Sequence, residues 1–251
     1  MESFYWSWGY RIMKHFRISA SFINAFLNGQ ENGDFENACK RIPMKDNMYF
    51  EFGKWFEKYI EQIQETGDLT KPEIPTYPDN TEDVNYDEIE EYVLQSAGNL
   101  EEVVAKRFAD RLGEGTWQDH ISKDIVVKDQ DTDEPVMFTL HGFTDFLPAD
   151  RHKIIDLKTT RVGKKEKLDN KYEKSIQHGL YCWILGIPDF TYMTYSTWLK
   201  TFVEKDYHVD LKEFEETLGL ILINFLHILK KKGLENEFES NFTVGVGRLA
   251  E

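Results

Sequence analysis

The stretch HGFTDFLPADRHKIIDLKTTRVGKKEKLDNKYEKSIQHGLY, from His141 to Tyr181, decides how this chain is read. Side chains alternate between the two faces of a strand. Residues 136–146 read as one strand, which carries Asp145 at its end, and residues 152–159 as the next, which ends on Asp156-Leu157-Lys158. Pro148, Ala149 and Asp150 between them give a turn signal. The spacing therefore predicts an antiparallel pair that sets Asp145 beside Asp156. Alternation puts Ile154, Asp156 and Lys158 on one face and turns Ile155 and Leu157 into the core. By the same alternation His141 falls on the Asp145 face, either behind the site or as an ordinary strand histidine. Two neighbouring carboxylates repel unless a cation lies between them, and oxygen ligands suit Mg²⁺ or Mn²⁺. The Leu157 carbonyl is a further candidate ligand. Lys158 is a compact charge suited to steadying an attacking water or transition-state oxygens. Together these groups have the chemistry that cutting a phosphodiester needs. In the helix that follows, Gln177 and Tyr181 stand one turn apart on one face.

Each residue also has a plainer reading. Asp145 can cap a strand, Asp156 can form an ordinary ion pair with Lys158, and Tyr181 can be a helix-packing tyrosine. What favours the active-site reading is the combination. Gly142-x-x-Asp145, then Asp156-Leu157-Lys158, then Gln177-x-x-x-Tyr181 resembles the PD-(D/E)XK nuclease superfamily, and within it the RecB-type exonuclease branch with its phage members. The resemblance runs over roughly residues 17–232, with 73–95 outside it. It implies a restriction-endonuclease-like α/β fold: a mixed central β-sheet flanked by helices, with a helical N-terminal part. Gly53-Lys54-Trp55-Phe56-Glu57 matches the branch's upstream Gly-x-x-x-(His/Glu) helix, which makes Glu57 a third metal carboxylate; Glu101 and Glu102 are its rivals. Gln177 and Tyr181 then position the substrate strand or Lys158. Some members of the branch hold an iron–sulfur cluster on four cysteines. This chain has only Cys39 and Cys182, so no cluster is expected, and a disulfide framework is excluded too.

The chain has 251 residues, 41% of them apolar, which suits one globular domain spanning 1–251. No leader or apolar run long enough to cross a membrane stands out, and the two cysteines suit a reducing compartment; with the resemblance, this implies a cytoplasmic protein of a bacterial or phage-infected cell. The net charge of −15 weighs against a simple nucleic-acid-binding surface, but it is unevenly spread. Residues 73–91 hold eight acids and no Lys or Arg, whereas 151–174 hold nine bases and four acids, a net of +5. Arg161, Lys164, Lys165, Lys167, Lys171 and Lys174 are therefore candidate contacts to a DNA backbone, or else a solvated loop. Pro72, Pro75 and Pro78 mark an acidic insertion at 67–95 with a mobile loop at its start.

The periodic segments predict helices over 19–28, 48–64, 86–95, 99–113, 171–185 and 211–232, with strands over 120–128, 136–146, 152–159, 190–199 and 201–209. The expected function is Mg²⁺- or Mn²⁺-dependent DNA hydrolysis, and the resemblance implies a role in recombination, repair or phage DNA processing. Two alternatives stay open: an inactive nucleic-acid-binding member of the fold, and an acidic protein that imitates DNA. The oligomeric state is not legible.

Overall fold

In the computed structural model, which describes residues 13–31, 33–43, 45–164, 167–168 and 170–244, the first described element is a strand the periodic pattern did not announce. β1 (Lys14–Ser19) buries Phe16 and Ile18 and passes without a loop into α1 (Ala20–Asn28), where Ser19 accepts the Phe22 N–H as N-cap. A short α2 (Asp34–Cys39) follows. α3 (Met48–Thr66) starts on Asn47, whose side chain accepts the Tyr49 and Phe50 N–H groups. It stops at Gly67, which takes the left-handed conformation (φ 72°) that a glycine adopts at little cost. α4 (Tyr86–Asn99) and α5 (Glu102–Asp110) pack on α3.

The strands divide between two mixed sheets. In the first, β4 (Pro135–Phe143) lies between β1, parallel to it, and β3 (His120–Lys128), antiparallel. The second has the order β2 (Gly115–Trp117), β5 (Phe146–Pro148), β6 (Ile154–Thr160), β7 (Asp189–Ser196), β8 (Thr201–His208). Only β6 and β7 run parallel there, joined by a crossover through α6 (Ile176–Leu185). α7 (Leu211–Lys231) and α8 (Glu235–Phe242) are the last described helices.

The expected strand over 136–146 is in fact two strands in different sheets. It breaks at Thr144-Asp145, where the β2–β3 turn lies alongside. Thr144 N–H bonds the Asp119 carbonyl at 3.0 Å, and the Asp145 carbonyl accepts the Gln118 N–H at 3.2 Å. The antiparallel pair with β6 is thus made by three-residue β5 alone, in register at Phe146 and Ile155. β2, α2 and α8 were also absent from the expectation.

Two apolar clusters sandwich the second sheet. One joins α1, α6, α7 and α8 to the first sheet and takes Ile154 from β6. The other packs α3, α4 and α5 against Ile155, Leu157, Met193 and Tyr195. β6 is therefore buried on both faces, as central parallel strands are. Residues 67–85 form no helix or strand, yet they are tied down. Tyr59 Oη donates to the Leu69 carbonyl at 2.8 Å, Trp55 Nε1 to the Pro72 carbonyl at 3.1 Å, and Lys71 Nζ to the Ala97 carbonyl at 2.7 Å. Leu69, Ile74 and Tyr77 pack against the second cluster. Among the described residues no helix is long and apolar enough to cross a membrane.

Phe225 is the hub of the first cluster. Its ring lies 4.9 Å from Phe238, 5.4 Å from Phe26 and 5.6 Å from Phe22, with Phe35 and Phe138 just beyond. Phe225→Ala should therefore cost roughly 3–5 kcal/mol in urea unfolding. A loss below about 1 kcal/mol would show that the cluster repacks around the gap.

Candidate active site

β6 carries Asp156 and Lys158 on the face towards α6. Asp156 is 1% exposed, and its Oδ2 lies 2.5 Å from Lys158 Nζ. Its Oδ1 accepts from Gln177 Nε2 at 2.6 Å, so the α6 amide holds the other side of the carboxylate. Asp145 stands between β4 and β5. Its Oδ2 accepts the Leu157 N–H at 2.7 Å and lies 4.0 Å from Lys158 Nζ. The short β5 pairs with β6 only as far as Ile155, and the Asp145 side chain takes the place a further ladder partner would have held. A strand residue's N–H and C=O leave by the same edge, so the Leu157 carbonyl also faces this gap. The predicted neighbours Asp145, Asp156, Leu157 and Lys158 are thus brought together, although by a break in the strand rather than by a long hairpin.

Glu57 reaches the same region from α3. Its Oε1 accepts from Gln118 Nε2 at 3.0 Å. Gln118 is the connector that sequence reasoning missed. It bonds Glu57 with its side chain and Asp145 with its backbone, and it takes a left-handed φ of 51°, a strained conformation for a non-glycine residue. The only hint in the sequence is its place in a short polar turn. The rivals Glu101 and Glu102 are exposed at the start of α5, where they act on Tyr195 and Tyr59. The methyl of an alanine at Gly53 would meet Thr159 Oγ1 at 3.4 Å, an ordinary contact, so the upstream glycine is not forced.

Gly142 is forced. A Cβ there would come within 2.7 Å of Tyr181 Cε1 and Oη. The glycine of one motif and the tyrosine of the other are a single packed contact between β4 and α6. Tyr181 is buried, and burial pushes its hydroxyl up to about 12, with the charges of Asp156 and Asp145 adding to the effect. His141, one residue earlier, points elsewhere. Its neighbours are Arg17, His120 and Arg41, and burial lowers its pKa. Its expected place on the Asp145 face fails because the alternation is interrupted at Thr144.

The site is electrostatically crowded. Burial raises the Glu57 carboxyl, and Asp145 raises it further. Burial and Asp145 also push Asp156 up, against the pull of Lys158. Burial works against the Lys158 ammonium, but Asp156 and Asp145 outweigh it and keep the amine protonated. The donors are all hard oxygens, which suit Mg²⁺ or Mn²⁺. Among the described residues, however, no three acidic, histidine or cysteine side chains converge closely enough to form a ready-made cage. The cation now between the two aspartates is Lys158 itself.

Of the basic stretch, Arg161 and Lys171 lie at the end of β6, where Lys171 Nζ donates to Thr160 Oγ1 at 2.6 Å. Lys164, Lys167 and Lys174 are exposed; Lys165 lies outside the described residues.

A family model of the PD-(D/E)XK nuclease superfamily matches residues 37–190, more than half of the chain. The protein belongs to that superfamily. No curated protein matches it. Among solved structures, one titled "Crystal structure of SSO0001" is 11% identical, with 81% of this chain and 82% of that chain covered and a TM-score of 0.33, too distant to add to the reading.

The Gly142–Tyr181 contact yields a direct test. Gly142→Ala should destabilise the protein by roughly 1–3 kcal/mol, as overpacking does. Combining it with Tyr181→Leu should recover part of that loss, measured as a non-additive double-mutant cycle. Strict additivity would mean that the two motifs do not touch.

Proposed function

We propose that the protein is a metal-dependent DNA nuclease of the RecB-type exonuclease branch, acting in recombination, repair or phage DNA processing. The observation that carries this reading is the Lys158 ammonium held against Asp156 and within 4.0 Å of Asp145 at the open edge of β6. An amine and two carboxylates converging on one point is what hydrolysis of a phosphodiester calls for. A bare acidic mimic of DNA has no use for it. The reading places the protein in the reducing interior of a bacterial or phage-infected cell, where Cys39 and Cys182, both free and buried, stay as thiols.

Asp145, Asp156 and the Leu157 carbonyl would hold Mg²⁺ or Mn²⁺, with Glu57 as the third carboxylate. When bound, such an ion lowers the pKa of a water and stabilises charge on phosphoryl oxygens. Lys158, kept protonated by the two aspartates, donates to the non-bridging oxygens as charge builds there. Lys158 would swing from Asp156 Oδ2 towards the phosphoryl group, because a metal ion on that oxygen would repel the ammonium now 2.5 Å from it. Gln177 keeps Asp156 oriented once the ammonium has moved. Tyr181, packed on Gly142, fixes the distance between α6 and the strand that leads into Asp145. Arg161, Lys164, Lys165, Lys167, Lys171 and Lys174 then offer charge to the backbone of the strand.

Incubation of the purified protein with end-labelled DNA and Mg²⁺ or Mn²⁺ tests this. Cleavage should appear with metal and vanish with chelator. Asp145→Asn and Asp156→Asn should abolish it. Lys158→Ala should lower the rate by roughly 10²-fold or more while leaving metal binding in place. Full activity in either aspartate variant would remove the site from the chemistry.

The crowded carboxylates also set a pH dependence. Glu57 and Asp156 are raised, so protons compete with metal for them in the acidic range. Manganese affinity by calorimetry should be weaker at about pH 5 than at about pH 8, with proton release on binding. A flat profile without proton release would place the metal on other ligands.

A further inference from the structure

Just past Lys158, the end of β6 opens into a cleft of about 380 Å³ between the N-terminus of α3 and the flank of α4. Its walls are Tyr49 and Tyr92, set edge to face at 5.4 Å, and its rim carries Arg161 and Lys171. Tyr49 is 49% exposed, so half of its surface is free to meet a ligand. Arg161 lies beside both tyrosines: its Nη1 donates to Tyr49 Oη at 3.5 Å and its guanidinium is 5.7 Å from the Tyr92 ring centroid. Neither Arg161 nor Lys171 has a carboxylate partner among the described residues, although the chain is strongly acidic. Asp87, Glu90 and Glu91 of α4 line a separate groove with Leu94 and Gln95, which shares no residue with this cleft. Thr160 in the cleft is two residues along the strand from Lys158, about 7 Å away.

Open aromatic faces beside unpaired cations are what an unstacked base and its phosphate bind. In a duplex every internal base has both faces covered and only the outer face of the end pair is bare, so a cleft that takes a base away from its neighbours needs an unpaired nucleotide. We propose that the Tyr49–Tyr92 cleft is a subsite for one unpaired nucleotide of the substrate strand, with its base on Tyr49 and its phosphate on Arg161 and Lys171. The inference rests on the nuclease reading above and adds to it the class of substrate: a single strand or a frayed end.

The test is binding of a short oligothymidylate and of an abasic strand of equal length, followed by fluorescence anisotropy in chelator so that nothing is cut. The same pair in ribose form is run beside it, so that either sugar can report the base contact. The wild-type protein should bind the base-bearing strand at least about tenfold more tightly than the abasic one. Tyr49→Ala should lose that preference, and Tyr49→Phe should keep it. Arg161→Met should weaken both strands alike and reduce the salt slope by about 0.7. Tyr49 is half exposed, so thermal unfolding should show the variant folded. Equal wild-type affinity for base-bearing and abasic strands, or an unchanged preference in Tyr49→Ala, would overturn the subsite. The nuclease reading fails by a separate result: a wild-type protein that binds these strands and cuts none with any divalent metal.

Discussion

The Asp156–Lys158 pair is the constraint around which the rest of the molecule is arranged. It sits on a strand whose two faces both lie in the core, where such strands ordinarily carry only apolar residues. Burying an ion costs several kcal/mol even after relaxation, and the attraction within a pair recovers this only when the geometry is good and the remaining atoms are bonded. Here the second Asp156 oxygen takes the Gln177 amide, and Asp145 adds a second negative charge beside the ammonium. Lys158 keeps partial access to solvent, 27% of its side chain, which lowers the cost on its side. A pair held in this way is weak evidence for stability and stronger evidence for use.

The second feature follows from how the sheets meet. β4 does not continue into the pairing with β6; its partners are β1 and β3 of the first sheet. The chain changes sheet at Thr144 and Asp145, and the β5 that begins there is too short to cover the edge of β6. That leaves the Leu157 backbone to be met by a carboxylate, not by another strand. The step between sheets, the bare edge and the position of Asp145 are one structural fact. Gln118 extends it to α3 by bonding Glu57 and the Asp145 carbonyl together.

Much of this was legible because it depends on local period. The long helices and the strands 120–128, 152–159, 190–199 and 201–209 lie within a few residues of where alternation and helical spacing put them. The order of Gly142, Asp145, Asp156, Lys158, Gln177 and Tyr181 also identified the superfamily that the family comparison reports. What could not be read was pairing. Nothing in residues 136–146 marks the change of sheet at Thr144, since the alternation of side chains continues through it on paper. β1 was hidden because its six residues run directly into a capped helix and leave no turn signal between them. The reason for Gly142 was hidden as well, because its neighbour Tyr181 is distant in sequence and meets it only once α6 has crossed the sheet. Residues 67–85 looked loose because their composition is polar and proline-rich. Their anchors, Trp55 and Tyr59, lie on α3, outside the segment.

The most direct measurement of the central claim is the anomalous scattering of a crystal soaked in Mn²⁺. The account predicts a manganese peak bound by the Asp145 and Asp156 carboxylates, with the Lys158 ammonium moved away from Asp156 Oδ2. Manganese found elsewhere, with the 2.5 Å Lys158–Asp156 ion pair intact, would contradict it.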